Sequence, residues 1–160
     1  DGLTAKNIYA NGAALIGGEL STTVPALVKY DGTQFNLLNP QPASGSFTIT
    51  LTGMSATTTG TIYWQISNGI VDVWLRAAIS GTSNATTMTG TGIPAALSAA
   101  NVNAVLCPVI DSGTFASGFV RGMTSTTWTF EMGSPLSATG FTNTGTKGLG
   151  IGQVFSYPLK

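Results

Sequence analysis

Residues 61–76 constrain the fold more than any other part of the chain. Two stretches of alternating apolar and polar residues, 61–67 and 70–76, are separated by Asn68 and Gly69 alone. Both residues of that pair tolerate positive φ, which the type I′ turn of a two-residue hairpin requires. So short a loop also sets the register. Ser67 opposes Ile70, Ile66 opposes Val71, Gln65 opposes Asp72 and Trp64 opposes Val73. Tyr63 then opposes Trp74, Ile62 opposes Leu75, and Thr61 opposes Arg76. Side chains alternate along a strand, so the hairpin has two unlike faces. Ile62, Trp64, Ile66, Val71, Val73 and Leu75 form a core face. Thr61, Tyr63, Gln65, Asp72, Trp74 and Arg76 form a face that is both aromatic and polar.

The rest of the chain repeats this pattern. No 3.6-residue period persists over 11 or more residues, and residues 94–100 read as a loop with one helical turn. Phe47, Ile49 and Leu51 share one side of a strand, with Thr48, Thr50 and Thr52 on the other. Residues 105–110 are a continuous apolar run, fitting a single strand buried on both faces or set in an interface. Trp128, Phe130 and Met132 fall on one side of a strand at 126–132, with Trp128 in the core. Leu149, Ile151, Gln153, Phe155 and Tyr157 alternate in what reads as one last strand. Turn signals recur about every 8–12 residues, the spacing of an antiparallel β-sandwich or barrel. The predicted class is all-β, a sandwich or barrel-like domain with a small N-terminal β module.

The module is residues 1–40. Residues 26–30 and 35–38 form a hairpin around Asp31-Gly-Thr-Gln34. Pro40 and Pro42 mark residues 39–45 as a linker, because proline cannot donate to a ladder. The main domain is 46–160. Asp1 is followed by neither an initiator methionine nor a charged-then-apolar leader. The expectation is that the chain continues a longer polypeptide.

Composition removes several functions. Lys plus Arg number 6 and Asp plus Glu number 6, so the formal net charge is zero. With no basic excess there is no electrostatic footprint for nucleic acid. No apolar run reaches the ~18 residues of a spanning helix, so the protein is not expected to be membrane-inserted. The chain has no His, which removes the Ser-His-Asp triad and the histidine proton shuttle. The single Cys107 can form no internal disulfide and reads as a small buried hydrophobe. No metal site and no cofactor is expected. The six acids, Asp1, Glu19, Asp31, Asp72, Asp111 and Glu131, show no pairing that would serve glycoside hydrolysis, so no catalytic residue and no enzymatic activity is expected.

Charged residues are only 8% of the chain, against roughly 25% in an ordinary soluble domain. Either much of the surface is buried against copies of the chain, or it is clothed in its 25 Thr, 14 Ser and its Asn residues. The candidate ligand-binding residues are Tyr63, Gln65, Asp72, Trp74 and Arg76. Aromatic faces stack on the C–H side of a pyranose, while amide, carboxylate and guanidinium groups bind its hydroxyls. The same face also suits plain cross-strand pairing, worth roughly 0.5–1 kcal/mol, or packing against a neighbouring subunit.

Tyr9-Ala-Asn-Gly-Ala-Ala-Leu-Ile-Gly-Gly-Glu-Leu20, continuing through residues 27–40, resembles a module of bacteriophage tail fibre and tail-associated proteins. Residues 81–97, with Gly81-Thr-Ser-Asn-Ala-Thr-Thr-Met-Thr-Gly90, and residues 140–149 resemble distal domains of the same proteins. The resemblance implies a homotrimeric, all-β, C-terminal tip domain on a virion, extracellular after synthesis in a host cytoplasm. It implies other virion tail proteins as partners, and contact with a bacterial surface glycan or outer-membrane receptor. A structural shaft, collar or decoration domain and a monomeric secreted carbohydrate-binding module are the alternatives.

Overall fold

The computed structural model describes residues 6–10, 12–15, 19–20, 23–101, 104–152 and 154–160. Of the residues named above, Asp1, Asn11, Ile16, Gly17, Gly18 and Gln153 lie outside this set. The chain divides into two compact units, 1–45 and 46–160.

The first unit holds four short strands, β1 (Ile8–Ala10), β2 (Ala13–Ala14), β3 (Val28–Tyr30) and β4 (Phe35–Leu37), in the order β2-β1-β4-β3. The β3–β4 hairpin pairs Val28 with Leu37 and Tyr30 with Phe35. Its loop is built by Asp31, whose Oδ1 accepts from the backbone N–H groups of Thr33 and Gln34 at 2.9 and 3.0 Å. Those bonds to the ionised form, Gln34 first, hold the Asp31 carboxyl below its usual range. β4 also pairs with β1 in parallel.

Strands are almost the only regular structure described in the second unit. It contains most of β5 (Ala43–Leu51), then β6 (Thr58–Ser67), β7 (Ile70–Trp74), β8 (Ile79–Thr82), β9 (Met88–Thr91), β10 (Val105–Leu106), β11 (Val109–Asp111), β12 (Thr114–Ala116) and β13 (Gly118–Arg121). β14 (Thr127–Ser134), β15 (Ser137–Thr139), β16 (Thr146–Leu149) and β17 (Val154–Pro158) follow. The main sheet has the order β10-β13-β14-β9-β5-β6-β7-β17, with β15 added beside β14. A second sheet has the order β12-β11-β16-β8. The helical turn at 94–100 is a single 3₁₀ turn, Ala95–Leu97.

The main sheet nearly closes into a barrel, and residues 98–100 span the gap. Ala99 N–H donates to Met123 O at 2.7 Å, Ala100 N–H donates to Pro158 O at 3.1 Å, and Lys160 N–H donates to Ser98 O at 3.0 Å. Closure of this kind leaves few unpaired strand edges. Inside sit Ile49, Leu51, Ile62, Val71, Val73, Met88, Phe130 and Tyr157, all buried. Trp128 is fully buried. It presents edge-on geometry to Phe47, Phe130, Phe155 and Tyr157, with centroids 5.3–6.5 Å apart. The alternation of Phe47, Ile49 and Leu51 is as read from the sequence, with Thr48 exposed behind it.

Three boundaries differ from the sequence reading. Prolines do interrupt the ladder at 40 and 42, but β5 begins directly after Pro42, so residues 43–45 are strand rather than linker. The apolar run 105–110 is two strands in different sheets. Pro108 has no N–H to donate, and the chain crosses there from β10 in the barrel to β11 in the second sheet. The last strand is also two elements. Leu149 ends β16, a turn carries the exposed Ile151 with Gly152, and β17 follows in the barrel.

A buried polar node joins the two sheets. Lys147 on β16 has no exposed surface, and its Nζ donates to Ala85 O at 2.7 Å and Thr87 O at 2.9 Å, on the loop leading into β9. Phe141 lies 5.3 Å away with its ring facing the ammonium. Asp111 on β11 accepts from Thr142 N–H at 2.9 Å and Thr142 Oγ1 at 2.6 Å. Ser83 Oγ donates to Thr142 O at 2.6 Å. Burial lowers the pKa of Lys147, while the Asp111 charge opposes that shift.

Two buried acids fix the behaviour at high pH. Burial pushes the Cys107 thiol up to about 12 and raises the Tyr157 phenol above its ordinary 10.0. Each ionises first in the unfolded chain, so its stabilisation is complete below the unfolded value and lost as pH rises toward the folded one. Lys147 acts in the opposite sense, because the unfolded chain holds its proton longer. Cys107 and Tyr157 therefore contribute a loss of stability that sets in above about pH 9. Cys107→Ala should flatten the fall between pH 9.0 and about 12. Urea midpoints measured across that range by circular dichroism check it, and an unchanged slope would refute it.

Candidate functional site

The hairpin of β6 and β7 forms as its turn residues dictate. Asn68 has φ 51° and Gly69 φ 75°, the paired positive values of a type I′ turn. The register is the expected one from Ser67–Ile70 to Tyr63–Trp74. The ladder then stops, because β7 ends at Trp74. The expected pairs Ile62–Leu75 and Thr61–Arg76 therefore do not form. Leu75 remains buried, whereas Arg76 leaves the sheet and is exposed.

That departure places the guanidinium. Arg76 Cζ sits 4.2 Å from the centroid of the Tyr63 ring, over its face. Tyr63 and Trp74 stand nearly parallel, with centroids 6.2 Å apart and 20° between planes. The Arg76–Tyr63 geometry is a cation–π contact, worth about 0.5–1 kcal/mol at an exposed site. The Tyr63–Trp74 pair adds a similar amount. Tyr63 thus has one ring face covered, and it is not the freely open stacking surface that strand alternation alone suggests.

The other candidates lie on the same outer face. Gln65 opposes Asp72 in the ladder. Asp72 is already engaged, since Ser156 Oγ on β17 donates to its Oδ1 at 2.5 Å. β17 pairs along the whole of β7, from Val154–Trp74 to Pro158–Ile70, so β7 is held on both sides. Tyr63, Gln65, Asp72 and Trp74 are half-buried on this three-stranded surface, with Arg76 at its margin. All five candidates are brought together. Ser156 belongs with them, and no local pattern points to it, because it is 84 residues from Asp72.

The acids are dispersed into separate roles. Asp31 shapes a loop, Asp72 binds Ser156, Asp111 binds Thr142, and Glu131 Oε2 pairs with Arg121 Nε at 3.0 Å. Among the described residues no group of three or more Cys, Asp or Glu side chains could hold a metal ion. No helix among them is long and apolar enough to cross a membrane. The arrangement on β6 and β7 can stack on a ring edge-to-face or face-to-face and donate hydrogen bonds from a fixed planar cation. Neither a family model nor a curated protein matches the chain.

Proposed function

We propose that this chain is a non-catalytic receptor-binding tip of a bacteriophage tail fibre, and that it engages a bacterial surface glycan through Tyr63, Gln65, Asp72, Trp74 and Arg76. The observation that carries the reading is the cluster of Tyr63 on β6, Trp74 at the end of β7, which is held between two neighbours, and Arg76 just beyond it over the Tyr63 ring. The strand backbone and the Arg76–Tyr63 contact reduce the cost of ordering the stacking and charge-assisted hydrogen-bonding groups on binding. Tail-fibre resemblance in residues 9–40, 81–97 and 140–149 supplies the biological setting: virion location, tail-protein neighbours and a homotrimer. Three weak sites on one trimer would act together through effective concentration.

Trp74→Ala should reduce adsorption to host cells by about tenfold per site while leaving the circular dichroism spectrum unchanged. Arg76→Ala should do likewise to a smaller extent, because the face loses the guanidinium that donates to ligand hydroxyls. Unchanged adsorption by a folded Trp74→Ala protein would remove the site. Light scattering should give three times the 16.3 kDa of the chain.

A structural particle component is the second reading. It is favoured by the exposure of Leu106, Phe115 and Leu136, apolar side chains suited to contact with another chain. It predicts no binding to cells or isolated glycans.

A further inference from the structure

A second feature lies on the other flank of the barrel, away from the hairpin in the order of strands. Thr86, Thr87, Thr129, Phe130, Glu131, Ala138, Thr139 and Gly140 line a cavity of about 210 Å³. Three elements make it. β14 contributes Thr129, Phe130 and Glu131, the loop before β9 contributes Thr86 and Thr87, and β15 with its following residue contributes Ala138, Thr139 and Gly140.

The loop is held there from beneath. Lys147 Nζ takes the carbonyls of Ala85 and Thr87, and Phe141 N–H donates to Thr86 O at 2.8 Å. Gly140 lies against that loop, since a Cβ on it would come within 3.1 Å of Thr86 O. The cavity wall is therefore built on buried polar contacts, unlike a groove between mobile side chains.

Its chemistry is specific. Four threonines offer four hydroxyls, each both donor and acceptor, beside four methyl groups. Among the described residues none of these four hydroxyls makes a hydrogen bond within the chain, whereas those of Thr58, Thr114 and Thr142 do. Glu131 adds a carboxylate whose charge is offset by Arg121 at 3.0 Å. One carboxylate oxygen is used in that pair, and a carboxylate has about four acceptor positions. The site is close to neutral overall, which favours an uncharged ligand over an anion or a cation. Its volume is below the roughly 300 Å³ where sites for drug-sized ligands begin. One ring fits, and an oligomer would have to extend outside.

We propose that this cavity is a ligand site for a single neutral, hydroxyl-rich ring, such as one monosaccharide unit. Mixed methyl and hydroxyl walls match the mixed C–H and O–H surface of a pyranose, with Glu131 accepting from a ligand hydroxyl. The site does not depend on the hairpin reading, because it shares no residue with it.

The test is an amide chemical-shift titration of the full chain with glucose, galactose and N-acetylglucosamine, each to about 50 mM, since one small ring binds in the millimolar range. At least one sugar should move the amides of residues 86–87, 129–131 and 138–140 together. Those shifts should persist in Trp74→Ala, which separates this site from the hairpin face. Thr129→Val and Thr139→Val keep the shape and the strand propensity but delete one hydroxyl each. Each should weaken the titration about tenfold, the effect of one lost hydrogen bond to a ligand. The proposal is overturned if none of the three sugars moves these amides. It is equally overturned if the shifts are confined to residues 63–76, or if both valine variants titrate like the parent.

Discussion

Trp128→Ala is expected to destabilise the 46–160 unit by about 3–5 kcal/mol, the usual cost of removing a buried indole. Trp128 is fully buried and touches four aromatic rings contributed by β5, β14 and β17. β14 and β5 flank β9 while β17 lies at the far end of the sheet order, so the indole spans the barrel interior rather than one corner. Its neighbours cannot collapse into the vacancy without moving strands that are hydrogen-bonded to their neighbours. Trp128→Phe should be much milder. Nε1 of Trp128 is buried without a hydrogen-bond partner, so phenylalanine removes an unsatisfied donor along with part of the ring. Urea unfolding followed by far-ultraviolet circular dichroism measures both. Equal losses in the two variants would show that the cavity left by alanine is not what sets the cost.

Gly53→Ala should cost about 3 kcal/mol, from two separate causes. Gly53 has φ +79°, where a Cβ costs roughly 1–2 kcal/mol. A Cβ there would also overlap the Thr87 carbonyl oxygen and come within 2.9 Å of Lys147 Nζ. Overpacking of this kind costs roughly 1–3 kcal/mol. The position matters because Thr87 O is one of the two acceptors of the buried ammonium. Pushing that carbonyl away leaves a buried charge short of a partner. Gly69→Ala isolates the backbone contribution. Gly69 has φ +75°, and a Cβ added to it would meet nothing within 4 Å, so only the conformational cost applies. Thermal or urea midpoints for the two variants should differ by the steric contribution, and equal losses would refute it.

Legibility follows the range of the interaction concerned. The hairpin is legible because Asn68-Gly69 demands one turn type and alternation then assigns each residue to a face. Only its far end departs from the pattern, where Leu75 and Arg76 leave the ladder. Strand termini depend on neighbouring elements, here β17, which among the described residues pairs with β7 as far as Trp74. Residues 105–110 and 149–157 mislead for a related reason. Apolar continuity records burial, and it does not record which sheet does the burying. Each run crosses from one sheet to the other while staying largely apolar.

Lys147 shows the same limit from the polar side. A lysine among Gly, Thr and Asn reads as a surface residue, yet it is wholly buried because its acceptors come from residues 85 and 87. The threonine-lined cavity is likewise invisible in the sequence, since its walls come from residues 86–87, 129–131 and 138–140.

By itself, then, the sequence determined the all-β class, the aromatic–polar face of the hairpin and the core role of Trp128. Each depends on turn chemistry or two-residue periodicity, which are properties of adjacent residues. Tertiary structure alone decided the strand order, the closure by residues 98–100, the Arg76 contact with Tyr63, the burial of Lys147 and the cavity. Those depend on pairings such as Lys147 with Ala85, 62 residues apart, and Ser156 with Asp72, 84 apart. Such partners meet only when strands far apart in the chain come together, so no local pattern encodes them.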